Sequence, residues 1–222
     1  MPSLIRAALI LKNDFRLELR SKFGLNSVFA FVASALFVSV FLLNATELGS
    51  KAQAGLLWLI LLFAALSSLS RSFTSEADRH TDLLLRLHTD ALSVFVGKYL
   101  FNLVFTLLFA SATVFLYVVL LSIEAKSILL LMTATLLGST GLTAVSTLMA
   151  ALVSRTDQRG ALFSVLCMPL LVPLILLSGK LTAAALAGED IFLFLNEISA
   201  LVGFSGATLT VSVLLFDTLW EA

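Results

Sequence analysis

Residues 71–98 have the sequence RSFTSEADRHTDLLLRLHTDALSVFVGK and separate two long apolar segments of the chain. Both histidines of the protein, His80 and His88, lie in this stretch. If its middle is helical, four charged residues form one row at i,i+4 spacing: Asp78, Asp82, Arg86 and Asp90. Another face is apolar: Leu83, Leu84, Leu87, Ala91, Val94 and Phe95. The pattern predicts a short amphipathic helix, at a membrane surface or in a partner's groove. A solvated loop that only joins two spans is the alternative.

The composition is that of a membrane protein. Apolar residues make up 59% of the 222-residue sequence and charged residues only 13%, about half of the ~25% that is usual in soluble domains. Apolar runs recur at about 20 residues, the length that crosses a hydrocarbon core. The formal net charge is zero, so nothing indicates a general attraction to nucleic acid. The sequence therefore predicts an all-α, polytopic membrane protein.

Residues 1–222 are expected to form a single transmembrane domain. Six transmembrane helices are predicted near residues 25–43, 53–70, 99–121, 128–153, 161–177 and 199–216. Pro169 and Pro173 favour a kink in the fifth of them. Residues 179–197 contain the apolar run 191–195, which is too short to span, so a broken or re-entrant element is expected there.

The fourth predicted span is rich in small and hydroxyl-bearing residues, among them Gly138, Ser139, Gly141 and Ser146. Small residues allow helix backbones to approach closely in lipid. The pattern therefore favours a tightly packed helix. A wall of a polar translocation path is the alternative.

Residues 1–22 are predicted to form an amphipathic interfacial helix. An apolar stripe recurs at spacings of three and four: Leu4, Ala8, Leu11, Phe15 and Leu19. Polar and basic residues lie mostly opposite: Arg6, Lys12, Asn13, Arg16 and Arg20. Asp14, Glu18 and Lys22 form a separate i,i+4 row. A basic helix of this kind binds anionic lipid at the cytoplasmic surface. A loosely attached tail is the alternative.

The distribution of positive charge predicts the orientation. Of fourteen lysines and arginines, eleven lie in residues 1–22, 71–98 and 154–160, which share one side of a six-span topology. Because positive charge marks the cytoplasmic face, we expect both termini and the central stretch to be cytoplasmic.

Motifs for catalysis are absent from the sequence. Neither of its Gly-Lys pairs continues as a GxxxxGK[ST] phosphate loop, and it contains no HExxH or GxSxG. His80 and His88 are typical of solvated histidines, and the single cysteine, Cys167, of a small buried apolar group. We therefore expect no enzyme activity, no catalytic residue, no metal site and no bound cofactor in this chain.

Four segments carry a resemblance to a known family. They are LKNDFRLELRSKFGL (11–25), GLLWLILLFAALSSLSRSF (55–73), GKYLFNL (97–103) and LLGSTGLTAVSTLMAALVSRTDQRGALFSVLCMPLLVPLIL (136–176). In their order and spacing they resemble the cytochrome c maturation protein B family, the membrane (permease) subunit of a haem-exporter ABC transporter.

The resemblance implies a six-helix ABC exporter-type transmembrane domain in a bacterial or organellar inner membrane. It implies pairing with a soluble ATP-binding subunit, two of each per complex, and association with haem-handling membrane partners. ATP use would drive haem export or release of a haem-loaded chaperone. A membrane subunit of an exporter for another substrate, and an assembly scaffold without ATP coupling, are the alternatives. Co-purification with a Walker-type ATPase separates the coupled subunit from the scaffold.

A membrane subunit without a nucleotide site depends on another subunit for the free energy of ATP hydrolysis. The surface predicted to contact that subunit, called here the receiving surface, is formed by residues 73–90 and the helix 1–22. Its coupling residues are Phe73, Glu76, Asp78, Arg79, Asp82, Arg86 and Asp90. Its residues on the interfacial helix are Asp14, Phe15, Arg16, Glu18 and Arg20.

The charge asymmetry yields a test of topology. Reporter domains fused after Ser50, Lys126 and Lys180 should show activity on the side opposite the cytoplasm, because few cations flank these loops. Fusions after Arg86 and at the C-terminus serve as cytoplasmic controls. A cytoplasmic signal at Lys126 would overturn the predicted order of spans.

Overall fold

The computed structural model describes residues 3–21, 23–41, 47–69, 90–153 and 159–221. Seven α-helices lie in these ranges: α1 (Ser3–Ser21), α2 (Phe23–Phe41), α3 (Ser50–Leu69), α4 (Ala91–Leu120), α5 (Ile128–Val153), α6 (Arg159–Ala187) and α7 (Leu195–Glu221). A short 3-10 helix, Ile191–Phe194, precedes α7. No strand occurs within these ranges.

Five of the helices, α3 to α7, are long and apolar enough to cross a membrane, and α2 contributes a shorter apolar helix, Asn26–Phe41. Together they agree with the six predicted spans. The predicted class, an all-α polytopic membrane protein, is confirmed.

The third span begins earlier than predicted. The sequence placed its start near residue 99, whereas α4 begins at Ala91, directly after Asp90. Val94 and Phe95, which the sequence assigned to the stripe of the amphipathic helix, are buried residues of α4. The boundary was misplaced because Lys98 was taken for a solvated residue, although it is buried in the structure.

The expectation of a broken element over residues 179–197 was wrong for residues 179–187, since the helix breaks only at residues 188–190. Helix α6 continues through Gly179 and Lys180 to Ala187. A glycine inside a helix costs about 1 kcal/mol relative to alanine, and the burial of all six residues 181–186 offsets that cost. The apolar run 191–195 forms the 3-10 helix that leads into α7.

Helix α5 lies at the centre of the bundle, in contact with α3, α4, α6 and α7. Its small residues are buried, and Thr143, Ala144, Ser146 and Thr147 are completely inaccessible to solvent. The Thr143 hydroxyl donates to its own helix, at 2.8 Å from the carbonyl oxygen of Ser139. Helix α5 therefore packs tightly, as the interpretation favoured by its sequence requires.

A buried tryptophan joins three helices. Trp58 of α3 is 1% exposed, and its Nε1 donates to Oγ1 of Thr182 in α6 at 2.9 Å. Its ring lies against α5, where a Cβ added at Gly138 would come within 2.0 Å of Trp58 Cη2 and 2.8 Å of Ser178 Oγ. The absence of a side chain at Gly138 is therefore what makes room for the indole.

At the other end of the bundle, one contact joins two helices and another joins a loop to a helix. The Lys180 ammonium of α6 pairs with the Glu197 carboxylate of α7. The amide of Ser127, just before α5, donates to the carbonyl oxygen of Ala185 in α6 at 3.0 Å.

Because Lys180 lies inside α6, the third reporter of the topology test is better fused after Gly188.

Gly138→Ala should destabilise the bundle, because overpacking in a filled interior costs about 1–3 kcal/mol. We expect a lower midpoint for thermal unfolding in detergent. Gly203→Ala is the matched control, since nothing lies within 4 Å of a Cβ added at Gly203. Trp58→Phe, which removes the clashing ring atom, should recover part of the loss. Equal midpoints for Gly138→Ala and Gly203→Ala would contradict the packing described.

Candidate coupling surface

The N-terminus of α4 is capped by Asp90. Its backbone is extended, with φ −76° and ψ 149°, and its carboxylate accepts from the backbone N–H of Ser93. The Ser93 hydroxyl also donates to Oδ2 of Asp90, at 2.8 Å. Chiefly because of this hydroxyl hydrogen bond, the pKa of Asp90 lies below its usual range. The charged cap thus persists at neutral pH, and its stabilisation is lost only as the pH falls through that lowered pKa.

Helix α1 lies alongside the first turns of α4. Arg6 Nη1 donates to Oδ1 of Asp90 at 3.2 Å. About two turns of α4 further on, a Cβ added at Gly97 would lie 2.9 Å from both the Ala7 carbonyl oxygen and Ile10 Cβ. A larger residue than glycine would force α1 away at this point. The two helices are therefore in close backbone contact, as small residues permit.

A buried ion pair lies in the same interface. Lys98 Nζ of α4 is 3.5 Å from Oδ2 of Asp14, and the side chains are 1% and 12% exposed. Burial raises the pKa of the Asp14 carboxyl, although the neighbouring Lys98 ammonium acts in the opposite direction. Breaking a buried pair of this kind by removing one partner is costly, whereas its net contribution to stability is small because desolvation offsets the attraction.

The two faces of α1 differ in charge. Towards α4 it presents Ala7 and Ile10, both buried, and Asp14. The three basic residues exposed on its other face are Lys12, Arg16 and Arg20. Large apolar side chains are exposed on α1 as well: Ile5, Leu9, Leu17 and Leu19. The helix thus combines a face packed on the bundle with a basic and apolar surface that faces outward.

Aromatic packing extends the contact towards the membrane. The rings of Phe15 in α1 and Phe101 in α4 meet edge to face, with centroids 5.0 Å apart. Phe15 therefore lies against the bundle. Leu19, from the same predicted stripe, is 61% exposed.

The structure brings together only part of the predicted coupling surface. Asp90 lies beside α1, the helix that carries the predicted interfacial residues Asp14, Phe15, Arg16, Glu18 and Arg20. The other six predicted coupling residues lie outside the described residues: Phe73, Glu76, Asp78, Arg79, Asp82 and Arg86. Their role therefore stays a prediction.

Sequence reasoning missed Arg6, Gly97 and Lys98 as parts of this surface. One signal was present for Lys98, because a single charge follows the apolar run Ala91–Gly97 and precedes Tyr99–Phe101. An ionisable residue inside an apolar helix usually has a specific partner. Its partner, Asp14, is 84 positions away in the sequence, and no local pattern identifies it.

Asp90→Ala should fray the start of α4, because loss of an N-cap costs about 1 kcal/mol. Amide hydrogen exchange over residues 91–97 should become several-fold faster. Asp90→Asn is the matched variant, since asparagine also caps helices but cannot form the ion pair with Arg6. Because that exposed pair is worth only about 0–1 kcal/mol, Asp90→Asn should exchange almost as slowly as the unaltered protein. Equal exchange in the alanine variant would exclude the capping role.

Comparison with known proteins agrees with this architecture. The chain is similar to a protein named Heme exporter protein B from Rhodobacter capsulatus, with 29% identity over 201 residues, which are 90% of this chain and 91% of that protein. A family profile described as CcmB protein matches residues 5–218. Because that match includes α2 to α6 and nearly all of α1 and α7, the chain belongs to the CcmB protein family.

Proposed function

We propose that this chain is the membrane subunit of an ABC-type haem exporter that acts in cytochrome c maturation. The observation that carries the proposal is the family match over residues 5–218. The similarity to a protein named Heme exporter protein B, which extends over 90% of this chain, supports haem as the cargo. The chain would act in transport and would not be an enzyme.

The energy for this work would come from a separate soluble ATPase subunit. The sequence contains no phosphate-binding loop, so the separate subunit would hydrolyse ATP. Its conformational change would then be transmitted to this chain through a protein contact. The receiving surface in this proposal is residues 73–90 together with α1. The position of Asp90, beside Arg6 at the start of α4, supports it, because both parts of the surface meet there.

The length of α4 also supports a receiving surface at the N-terminal end of this helix. Thirty residues of helix extend about 45 Å, whereas the hydrocarbon core is about 30 Å thick. Roughly ten residues of α4 would therefore project beyond the hydrocarbon. The polar residues Ser93 and Lys98 and the contact with α1 support assigning that projection to the N-terminal end, where a soluble partner would reach it.

The positive charge at this end would make it cytoplasmic in the inner membrane, with both chain termini on the same side. Two copies of the chain, two ATPase subunits and haem-handling membrane proteins would make up the complex. The loops predicted on the opposite side contain no histidine or cysteine, and these residues are the usual ligands of haem iron. On that side the iron would therefore be ligated by residues of a partner.

Reversing two charges tests the coupling surface. Asp82→Arg combined with Arg86→Asp should leave membrane insertion nearly intact, because exposed pairs contribute only about 0–1 kcal/mol. The amount of ATPase subunit that co-purifies should fall several-fold. The matched control is Glu47→Lys with Lys51→Glu, two exposed residues of opposite charge at the other end of the bundle.

Two results would contradict parts of the proposal. Normal co-purification of the ATPase subunit with the Asp82/Arg86 variant would remove the coupling role of these residues. If no ATPase subunit co-purifies with the unaltered chain, an assembly scaffold without ATP coupling becomes the better description.

A further inference from the structure

We propose that a groove between α4, α5 and α7 binds one phospholipid, with an acyl chain in the groove and a zwitterionic headgroup of the phosphatidylethanolamine type at its mouth. This inference goes beyond the proposed function, because it concerns a lipid site and does not depend on which cargo the chain transports.

The groove lies on the surface of the bundle, at the end opposite α1. It encloses about 770 Å³, within the range of about 300–1,000 Å³ that is usual for small-molecule sites. Helix α4 lines it with residues from the range 107–118 and α5 with residues from the range 128–137, whereas α7 contributes Ile198 and Val202. Three helices therefore form one concave surface of a size that suits a single ligand.

The depth of the groove matches one leaflet of a membrane. Along α4 its lining extends from Leu107 to Val118, eleven positions further on, which is about 16 Å at the helical rise. A hydrocarbon core about 30 Å thick has leaflets of about 15 Å. A partner's transmembrane helix would pack along both leaflets, whereas this groove extends over only one of them. The geometry therefore favours an acyl chain as the occupant.

The lining of the groove also suits an apolar occupant. Among the described residues, its side chains carry no charge, and most of them are leucine, valine, isoleucine, methionine or phenylalanine. Two of its three hydroxyl groups, those of Thr133 and Thr135, donate to carbonyl oxygens of their own helix at 2.7 and 2.8 Å. A polar molecule would thus lose hydrogen bonds to water in the groove and regain few. An acyl chain has none to lose.

The mouth of the groove carries charges of both signs. Lys126 is exposed and directly follows Ala125, which lines the groove. Its side chain lies against Gly188, since a Cβ added there would be 3.0 Å from Lys126 Cβ and Cδ. Glu124 and Glu189, one on each side of this contact in the sequence, are exposed as well. A headgroup with a phosphate and an ammonium group finds a partner for each charge here, whereas a purely anionic headgroup is repelled by the carboxylates.

A lipid in this groove would contact a sparsely packed helix. Of the five described helices that are long and apolar enough to cross a membrane, α7 has the smallest buried share. An acyl chain beside Ile198 and Val202 would add apolar contact between α7 and the pair of helices α4 and α5. Binding of this lipid should therefore raise the midpoint of thermal unfolding.

Titration with defined lipids tests the site. The chain purified in detergent is mixed with phosphatidylethanolamine and observed by native mass spectrometry, and we expect one tightly bound lipid per chain. Ser111→Trp places a large ring in the groove and should weaken this binding about tenfold or more, because the acyl chain loses buried surface. Leu108→Trp is the matched control and should bind normally, since Leu108 is exposed on the same helix but does not line the groove.

The headgroup is tested separately, with variants at exposed positions. Lys126→Gln should weaken the binding of phosphatidylethanolamine about fivefold. The unaltered chain should bind phosphatidylethanolamine more tightly than phosphatidylglycerol, and Glu124→Gln combined with Glu189→Gln should reduce that preference. Equal or tighter binding of phosphatidylglycerol by the unaltered chain would overturn the assignment of a zwitterionic headgroup.

Photocrosslinking in native membranes identifies the occupant without relying on a groove-filling variant. A benzophenone attached to Met132→Cys lies in the groove, whereas Cys167 is completely buried and should stay unlabelled. We expect an adduct with the mass of a phospholipid. A crosslink to a protein, whether a partner or a second copy of this chain, would overturn the proposal, because a transmembrane helix would then occupy the groove. Equal lipid binding by Ser111→Trp and Leu108→Trp, or no one-to-one complex with the unaltered chain, would overturn it as well.

Discussion

Close backbone approach along α5 is the constraint on which the rest of the bundle depends. In lipid, an apolar side chain gains little by leaving the acyl chains for the protein interior, so helices associate through tight packing and hydrogen bonds. Helix α5 meets this requirement with glycine, alanine, serine and threonine, which are buried against four neighbouring helices. The Asn102 amide of α4 donates to Thr147 of α5 at 3.0 Å and adds a polar contact to this packing.

An ion pair joins two helices at each end of the bundle, and the two pairs differ in burial. At the end that carries α1, the Asp14–Lys98 pair is buried within a helix interface. At the other end, the Lys180–Glu197 pair is more accessible, since the lysine side chain is 59% exposed. A buried pair tolerates little variation in geometry because an unpaired charge there is costly, whereas an accessible pair can exchange with water. The α1 end is therefore the more strictly positioned of the two.

Much of this fold could be predicted from the sequence, because a span of lipid requires about 20 apolar residues and such runs are visible without any tertiary information. The small residues around Gly138 likewise indicated a tightly packed helix, which the structure has. The start of α4 and the continuation of α6 past Gly179 could not be predicted, since each depends on burial by other helices. Lys98 was misjudged for the same reason: its environment is set by α1, which is distant in the sequence.

The candidate coupling surface was predicted in outline but not in its contacts. Periodicity identified α1 as amphipathic, yet the face that packs on α4 is marked by Ala7, Ile10 and Asp14 and differs from the most apolar stripe. A prediction from hydrophobicity alone assigns the largest apolar side chains to the packed face. It does not identify Asp14, whose carboxylate is buried there beside Lys98. Nor does it identify Gly97, which contributes to the interface because it has no side chain and so allows α1 to approach closely.

The contact between Trp58 and Gly138 also has a consequence for how this family can diverge. A side chain at position 138 and a full indole at position 58 exclude each other sterically. Exchange of the indole for a smaller ring in turn leaves the Thr182 hydroxyl without its donor. Homologues should therefore change positions 58, 138 and 182 together, and this coupled substitution across three helices would be visible as covariation in an alignment.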